Sequence, residues 1–245
     1  MATVILVRHG RSTANVSGML AGRQSGVHLD DVGEEQAARA GARIAAVPLA
    51  GLVTSPLERC RQTAQAIGRA HPGKPRVRTD RGLLECDYGE WQGRSIKDLS
   101  REKLWKSVQS QPSRVGFPGG ETMPEMQARA VAAVRGRDAE MEVEHGPDAV
   151  WVAVSHGDPL KAVLADALGM HLDLFQRLHV DPGSVSIVHY ADTHPYVLAV
   201  NSHEGDLSWL APRKGRKRKR APREAVVGGG AGPDAPSAGP MRDGS

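Results

Sequence analysis

The chain has 245 residues, 40% of them hydrophobic but only 4% aromatic, so it can bury a sizeable core that must be aliphatic. The formal net charge of +4 is uneven: residues 213–245 hold nine Lys/Arg and three Asp/Glu, which leaves 23 against 25, about −2, in residues 1–212 and excludes a basic nucleic-acid-binding body. No apolar run reaches the ~20 residues of a membrane span, no secretory signal is visible, and Cys60 and Cys86, outside metal-ligand spacing, read as free thiols of a cytoplasmic protein.

In chain order, Val4–Val7 is a β-branched apolar run that predicts a buried strand, and it ends in Arg8-His9-Gly10. Val16 to Leu29 reads as a loop. Asp30 or Asp31 then caps a helix to about Ala46. Leu52–Ser55 is a second buried strand. Pro56 fits the first turn of a helix to about Ala70, with Ser55 as its N-cap and Arg59 in the first turn, where the helix end attracts anions. Arg76–Thr79 is a short strand, and Leu83–Gly93 an irregular loop carrying Glu85, Asp87, Glu90 and Trp91. Ser95 to about Gln109 predicts a helix, Gln111–Gly120 a Pro/Gly-rich connection, and Glu121 to about Glu144 a long helix, with Glu121 a helix-start residue first and a site residue second. Val150–Ser155 repeats the opening design: an apolar strand ending in His156-Gly157, with Asp158 capping a helix to about Leu168. Val185–Tyr190 and Tyr196–Asn201 form an antiparallel edge pair.

This alternation predicts an α/β fold, a three-layer sandwich with a mostly parallel sheet and helices on both faces. It spans residues 1–210, with 83–120 as a cap on the same domain. Residues 211–245, basic and then rich in Gly, Pro and Ala, cannot bury enough apolar area to order themselves. Seven basic residues in the eight of 213–220 would contact polyanions without specificity.

Two strands that each deliver a His to their carboxyl ends place both imidazoles in the crevice where open α/β sheets bind ligands. Arg8 adds a fork of donors suited to an anion. Arg8-His9-Gly10, Ser55-Pro56-Leu57-Glu58-Arg59-Cys60-Arg61-Gln62-Thr63, Leu84-Glu85-Cys86-Asp87-Tyr88-Gly89-Glu90-Trp91, Pro118-Gly119-Gly120-Glu121-Thr122 and Ser155-His156-Gly157 occur in one order. That ordered set resembles the histidine phosphatase (phosphoglycerate mutase-like) superfamily, over roughly residues 3 to 205.

The resemblance implies a metal-independent phosphomonoester hydrolase of histidine acid phosphatase type, without cofactor. His9 becomes phosphorylated, Glu85 serves as general acid, and Arg8, Arg59 and His156 surround the phosphoryl group. Chemistry alone leaves Asp87 and Glu90 as competing acids, and the resemblance selects Glu85. Nucleophilic His9 needs an unprotonated attacking nitrogen, which a bond from its other nitrogen to a backbone carbonyl would fix. His156 is expected to become cationic beside a bound anion. Ser12, Asn15, Gly10 and Gly157 are expected to bind substrate. Arg11 stands where mutases typically carry an acid, and the remaining histidines read as surface or loop residues. The expected partner is a small phosphorylated metabolite, with a homodimer open. The rivals are a phosphoglycerate mutase, whose adjacent Arg-Arg and Pro-rich run is not evident here, and a catalytically idle sensor of a phosphorylated ligand.

Overall fold

The computed structural model describes residues 2–211; the readings made above for the basic run and the rest of the tail concern residues outside that range. The strands are β1 (Thr3–Arg8), β2 (Gly51–Thr54), β3 (Val77–Thr79), β4 (Val150–Ser155), β5 (Val185–Tyr190) and β6 (Pro195–Ser202). They form one sheet in the order β3-β2-β4-β1-β5-β6. The first four in that order are parallel, and the β1–β5 and β5–β6 pairings are antiparallel, so β5 alone runs against the rest.

A strand that is apolar on both faces is stable only between two layers. Alternate residues of β1 accordingly enter different cores. Ile5 and Val7 pack with Ala40 and Ile44 of α2 (Asp31–Ile44) and with Ala64 and Ile67 of α3 (Glu58–Ala70). Val4 and Leu6 pack with Val134 and Ala130 of α6 (Met123–His145) and with Leu160 and Leu164 of α7 (Gly157–Ala167). Helices therefore cover both faces, as the alternating pattern requires.

The short helices depart from the sequence reading. The expected Val16–Leu29 loop is preceded and entered by α1 (Thr13–Ser17), stopped at Gly18 with φ +66°. Five residues are too few for an apolar period to show. The expected Ser95–Gln109 helix is two, α4 (Ile96–Leu99) and α5 (Lys103–Ser110). At the break the Ser100 hydroxyl donates to the Lys97 carbonyl, and Glu102 pairs with Arg94 at 2.6 Å. Such side-chain bonds compete with the helical ladder. The long helix α6 begins at Met123, not Glu121, because Thr122 and Glu125 form a reciprocal capping box.

Residues 83–120 carry their own apolar cluster. Cys86, Tyr88, Trp91 and Phe117 pack on Met123 and Met126 of α6, on Ala162 and Ala165 of α7, and on Phe175 in the turn Leu172–Arg177. The excursion thus rests on helices rather than on strand ends, which sets its loop beside the carboxyl end of β4.

Candidate active site

Register alone brings the two histidines together. Arg8 pairs with Ser155 across the parallel ladder between β1 and β4, and the His9 N–H donates to the Ser155 carbonyl at 3.0 Å. The next residues, His9 and His156, leave adjacent strands with ring centroids 5.2 Å apart and planes inclined at 66°.

The His9 ring is held in one tautomer. Its Nδ1 lies 2.7 Å from the Gly10 carbonyl, which can only accept, so Nδ1 carries the proton. Nε2 is then the unprotonated nitrogen, and it accepts from Arg59 Nε at 3.3 Å. Burial first, then the Arg59 and Arg8 charges, hold the His9 pKa well below that of a free imidazole. The ring is neutral at physiological pH.

Two guanidinium groups converge on it. Arg59, only 2% exposed, lies in the first turn of α3 and donates from Nη2 to the Gly22 carbonyl at 2.7 Å, whereas Arg61 faces solvent. Arg8 donates from Nη1 to the Val180 carbonyl at 2.7 Å. Arg59 Nη1 and Arg8 Nε are buried donors with no protein partner. Buried donors of this kind are costly unless a ligand or water meets them. Both arginines line the cavity beside His9, so their charge is set to meet an anion there.

His156 is fully buried behind this wall and does not itself line the cavity. Its Nε2 lies 2.8 Å from Ser55 Oγ and 3.4 Å from Cys60 Sγ. Burial first, and then Arg59 and His9, lower its pKa well below the ordinary value. Without a bound anion it is a neutral ring, and the cationic form expected above depends on that anion. The Ser55 contact also corrects two expected caps. Ser55 does not cap α3, whose N-cap is Leu57, because its hydroxyl is turned to His156. The N-cap of α7 is His156 itself, leaving Asp158 in the first turn.

The predicted substrate-binding residues divide. Ser12, Asn15 and Gly157 line a cavity of about 410 Å³ together with Arg8, His9, Arg59 and Glu85. Ser12 and Asn15 also form the capping box of α1, with Asn15 Oδ1 accepting from the Ser12 N–H and hydroxyl. Gly10 does not line the cavity. A Cβ there would come within 2.2 Å of the Gly33 carbonyl oxygen, so Gly10 serves the close approach of α2. Arg11 also points away, paired with Asp30 at 2.7 Å.

Glu85 faces the same cavity from the 83–93 loop. Desolvation first, and the nearby Asp158 second, push its carboxyl up to about 7 against the pull of the Cys86 N–H, which donates to it at 2.9 Å, and of Arg59 and Arg8. The loop is clamped through its main chain. Arg23 donates to the Glu85 carbonyl at 2.9 Å, and Arg129 to the carbonyls of Gly82 and Leu84 at 2.7 and 2.9 Å. Glu121 joins both arginines, at 2.9 Å to Arg23 and 2.7 Å to Arg129, and accepts from the Asp87 N–H at 3.0 Å. Glu121 is therefore neither helix start nor cavity residue, but the acceptor that ties the loop down. Gly89, at φ +51°, and Gly120 meet across this loop, where a Cβ on Gly120 would lie 2.2 Å from the Asp87 carbonyl oxygen.

Asp87 and Glu90, the competing acids, do not line the cavity. Several residues that do were not singled out: Tyr88, Lys161, Gln176 and His179, the last read above as a surface histidine. Asp158 accepts from the Tyr88 hydroxyl at 2.8 Å and pairs with Lys161 at 3.1 Å. Desolvation pushes its pKa upward, and those two partners outweigh it, so Asp158 stays below the ordinary carboxyl value. Tyr88 and Gln176 are tied in by contacts far along the chain, to Asp158 and Lys161, which no local pattern marks. Among the described residues no group of three or more His, Cys, Asp or Glu is placed to hold a metal ion.

The model of the histidine phosphatase superfamily (branch 1) matches residues 4–203, and the chain belongs to that superfamily. A probable phosphoglycerate mutase (GpmB) of Yersinia enterocolitica is 34% identical over 195 residues, covering 79% of this chain and 87% of that protein. Phosphoserine phosphatase 1 of Hydrogenobacter thermophilus is 29% identical over 203 residues, 82% of this chain and 92% of that protein. Among solved structures, Bacillus stearothermophilus YhfR superposes with a TM-score of 0.73 at 26% identity, over 86% of this chain and all of that one. Relatives of this chain thus include proteins named as phosphatases and as mutases.

Proposed function

We propose that the protein is a metal-independent phosphomonoesterase that hydrolyses a small phosphorylated metabolite through a phosphohistidine at His9. The observation that carries this reading is the unprotonated His9 Nε2 facing a cavity in which Arg8 Nε and Arg59 Nη1 lack partners. Two fixed cations match the charge of a phosphoryl group, and a neutral imidazole nitrogen between them suits nucleophilic attack.

In the first half-reaction His9 Nε2 bonds to phosphorus, the ester P–O bond breaks, and Glu85 gives its proton to the leaving alcohol oxygen. In the second, the Glu85 carboxylate takes a proton from water, the water oxygen bonds to phosphorus, and the P–N bond breaks. Inorganic phosphate leaves, and both side chains return to their starting states. A carboxyl near pKa 7 can perform both transfers, because its two protonation states are nearly equal in energy at the working pH. His156, 5.2 Å from His9, adds positive charge once the anion raises its pKa.

The likeness to a probable phosphoglycerate mutase favours a second reading, in which phosphohistidine passes its phosphoryl group to another hydroxyl rather than to water. One assay separates them. Purified protein is given p-nitrophenyl phosphate, and separately 3-phosphoglycerate with 2,3-bisphosphoglycerate as primer. Release of inorganic phosphate, with an acid-labile phosphoryl group trapped on His9, is the expected result. Formation of 2-phosphoglycerate with negligible phosphate release would replace hydrolase by mutase. Inertness towards a broad panel of phosphate esters would favour the sensor.

A further inference from the structure

From the charge count of the cavity we infer that the preferred substrate is the phosphate monoester of an uncharged alcohol with an apolar face, and that Asp158 sets this preference by occupying Lys161. The inference rests on the hydrolase reading and specifies its substrate class.

Three permanent cations line the cavity: Arg8, Arg59 and Lys161. A phosphomonoester dianion takes the two arginines, whose buried Nε and Nη1 donors lack partners. Lys161 is already committed. Its ammonium pairs with Asp158 at 3.1 Å, donates to Gln176 Oε1 at 2.7 Å and sits 4.4 Å above the centre of the Phe175 ring. Its side chain is 14% exposed, so a carboxylate of a substrate cannot simply displace Asp158 into water. His179, at the rim, is bonded to Asp181 at 2.8 Å. No lining cation is left for a second anionic group, and a buried carboxylate without a partner costs more than the binding it brings.

What the cavity does offer beyond the phosphoryl end is neutral. Lys161 can only donate, so the Gln176 atom it meets is the oxygen, and the Gln176 amide N–H₂ is left as a donor. In the same way the Asn15 oxygen accepts from the Ser12 N–H, which leaves its N–H₂ for substrate. Two apolar walls complete the surface. Met19 bridges to Ser95, and the Ile96 N–H donates to the Gly18 carbonyl at 2.9 Å, so Met19, Leu20 and Ile96 form one wall. Leu178 and Val180 form the other. Ile96 is 40% exposed at the mouth, an apolar surface that a substrate's alcohol half can cover.

The test uses the phosphate esters of 4-(hydroxymethyl)benzamide and 4-(hydroxymethyl)benzoate, isosteric but for one charge, with glycerol 3-phosphate as the small polar neutral ester. The expected kcat/KM is higher for the benzamide ester than for the benzoate ester by about tenfold or more, and higher than for glycerol 3-phosphate. Asp158→Asn keeps an acceptor for Tyr88 but releases Lys161, and it is expected to narrow the benzamide-to-benzoate ratio severalfold. A ratio near one or inverted in the wild type, or unchanged in Asp158→Asn, overturns the charge-matching inference. A preference for glycerol 3-phosphate overturns the apolar face. p-Nitrophenyl phosphate is followed in parallel. Hydrolysis of these esters with the wrong preference defeats only this inference, whereas inertness towards all of them and p-nitrophenyl phosphate defeats the hydrolase reading and this inference with it.

Discussion

At one end of the cavity Arg8 and His9 step off β1, with His156 off β4 buried behind them, at positions set by the ladder between two buried strands. At the other end Glu85 sits on an irregular loop held by Arg23, Arg129 and Glu121, three residues from distant parts of the chain. The first end is rigid because every residue before it is paired in the sheet. The second depends on a polar network, and polar networks are lost as a unit when one member goes. The sheet fixes His9, the proposed nucleophile, and the network fixes Glu85, the proposed acid.

The largest effect is expected at the sheet-held end. His9→Ala should reduce phosphate release by about 10⁴-fold or more and abolish the trapped phosphoryl-enzyme; steady-state rates and a radiolabelled phosphate trap check both. Substantial residual turnover would move the nucleophile elsewhere.

Next comes the acid. Glu85→Gln should cost about 10²–10⁴-fold with a poor leaving group and markedly less with an aryl phosphate. In the wild type the required form is the protonated carboxyl, so kcat/KM should fall as pH rises through about 7, and that limb should vanish in Glu85→Gln. A pH–rate profile measured on both proteins reads this directly.

Glu121→Ala probes the network without touching the cavity. Removing it leaves Arg23 and Arg129, half-buried, without their shared acceptor. A loss of about 1–3 kcal/mol in urea unfolding is expected, with turnover reduced mainly through kcat as Glu85 loses its position. Unchanged kcat would mean the loop is held without this carboxylate.

Asp138 is the smallest and sharpest contrast. It too is a carboxyl raised by burial, to about 6, yet it lies in α6 away from the cavity and accepts from Trp151 Nε1 at 2.8 Å. Its folded form holds a proton that the unfolded chain releases near its ordinary value, so stability should decline as pH rises from about 4 to about 6. Asp138→Asn keeps the acceptor and should recover about 1–2 kcal/mol at pH 7 with turnover intact. A raised pKa marks burial, and becomes functional only beside a reacting atom.

The sequence itself determined the sheet and its two histidines. Val4–Val7 and Val150–Val154 are apolar on both faces, which demands a buried strand, and a buried strand ending in His sets that residue at the sheet edge beside the crevice whatever the loops do. Arg59 was legible for a similar reason, since Pro56 sets the start of α3 to within a turn. The tertiary structure alone decided what surrounds them. Ser55 turns to His156 rather than capping its helix, Glu121 joins two arginines, and Lys161 donates to Gln176, because each of these polar groups had several partners within reach. Apolar periodicity is a local property that a chain carries in its order, whereas the choice among polar partners is made only when folding brings distant segments into contact and excludes water from between them.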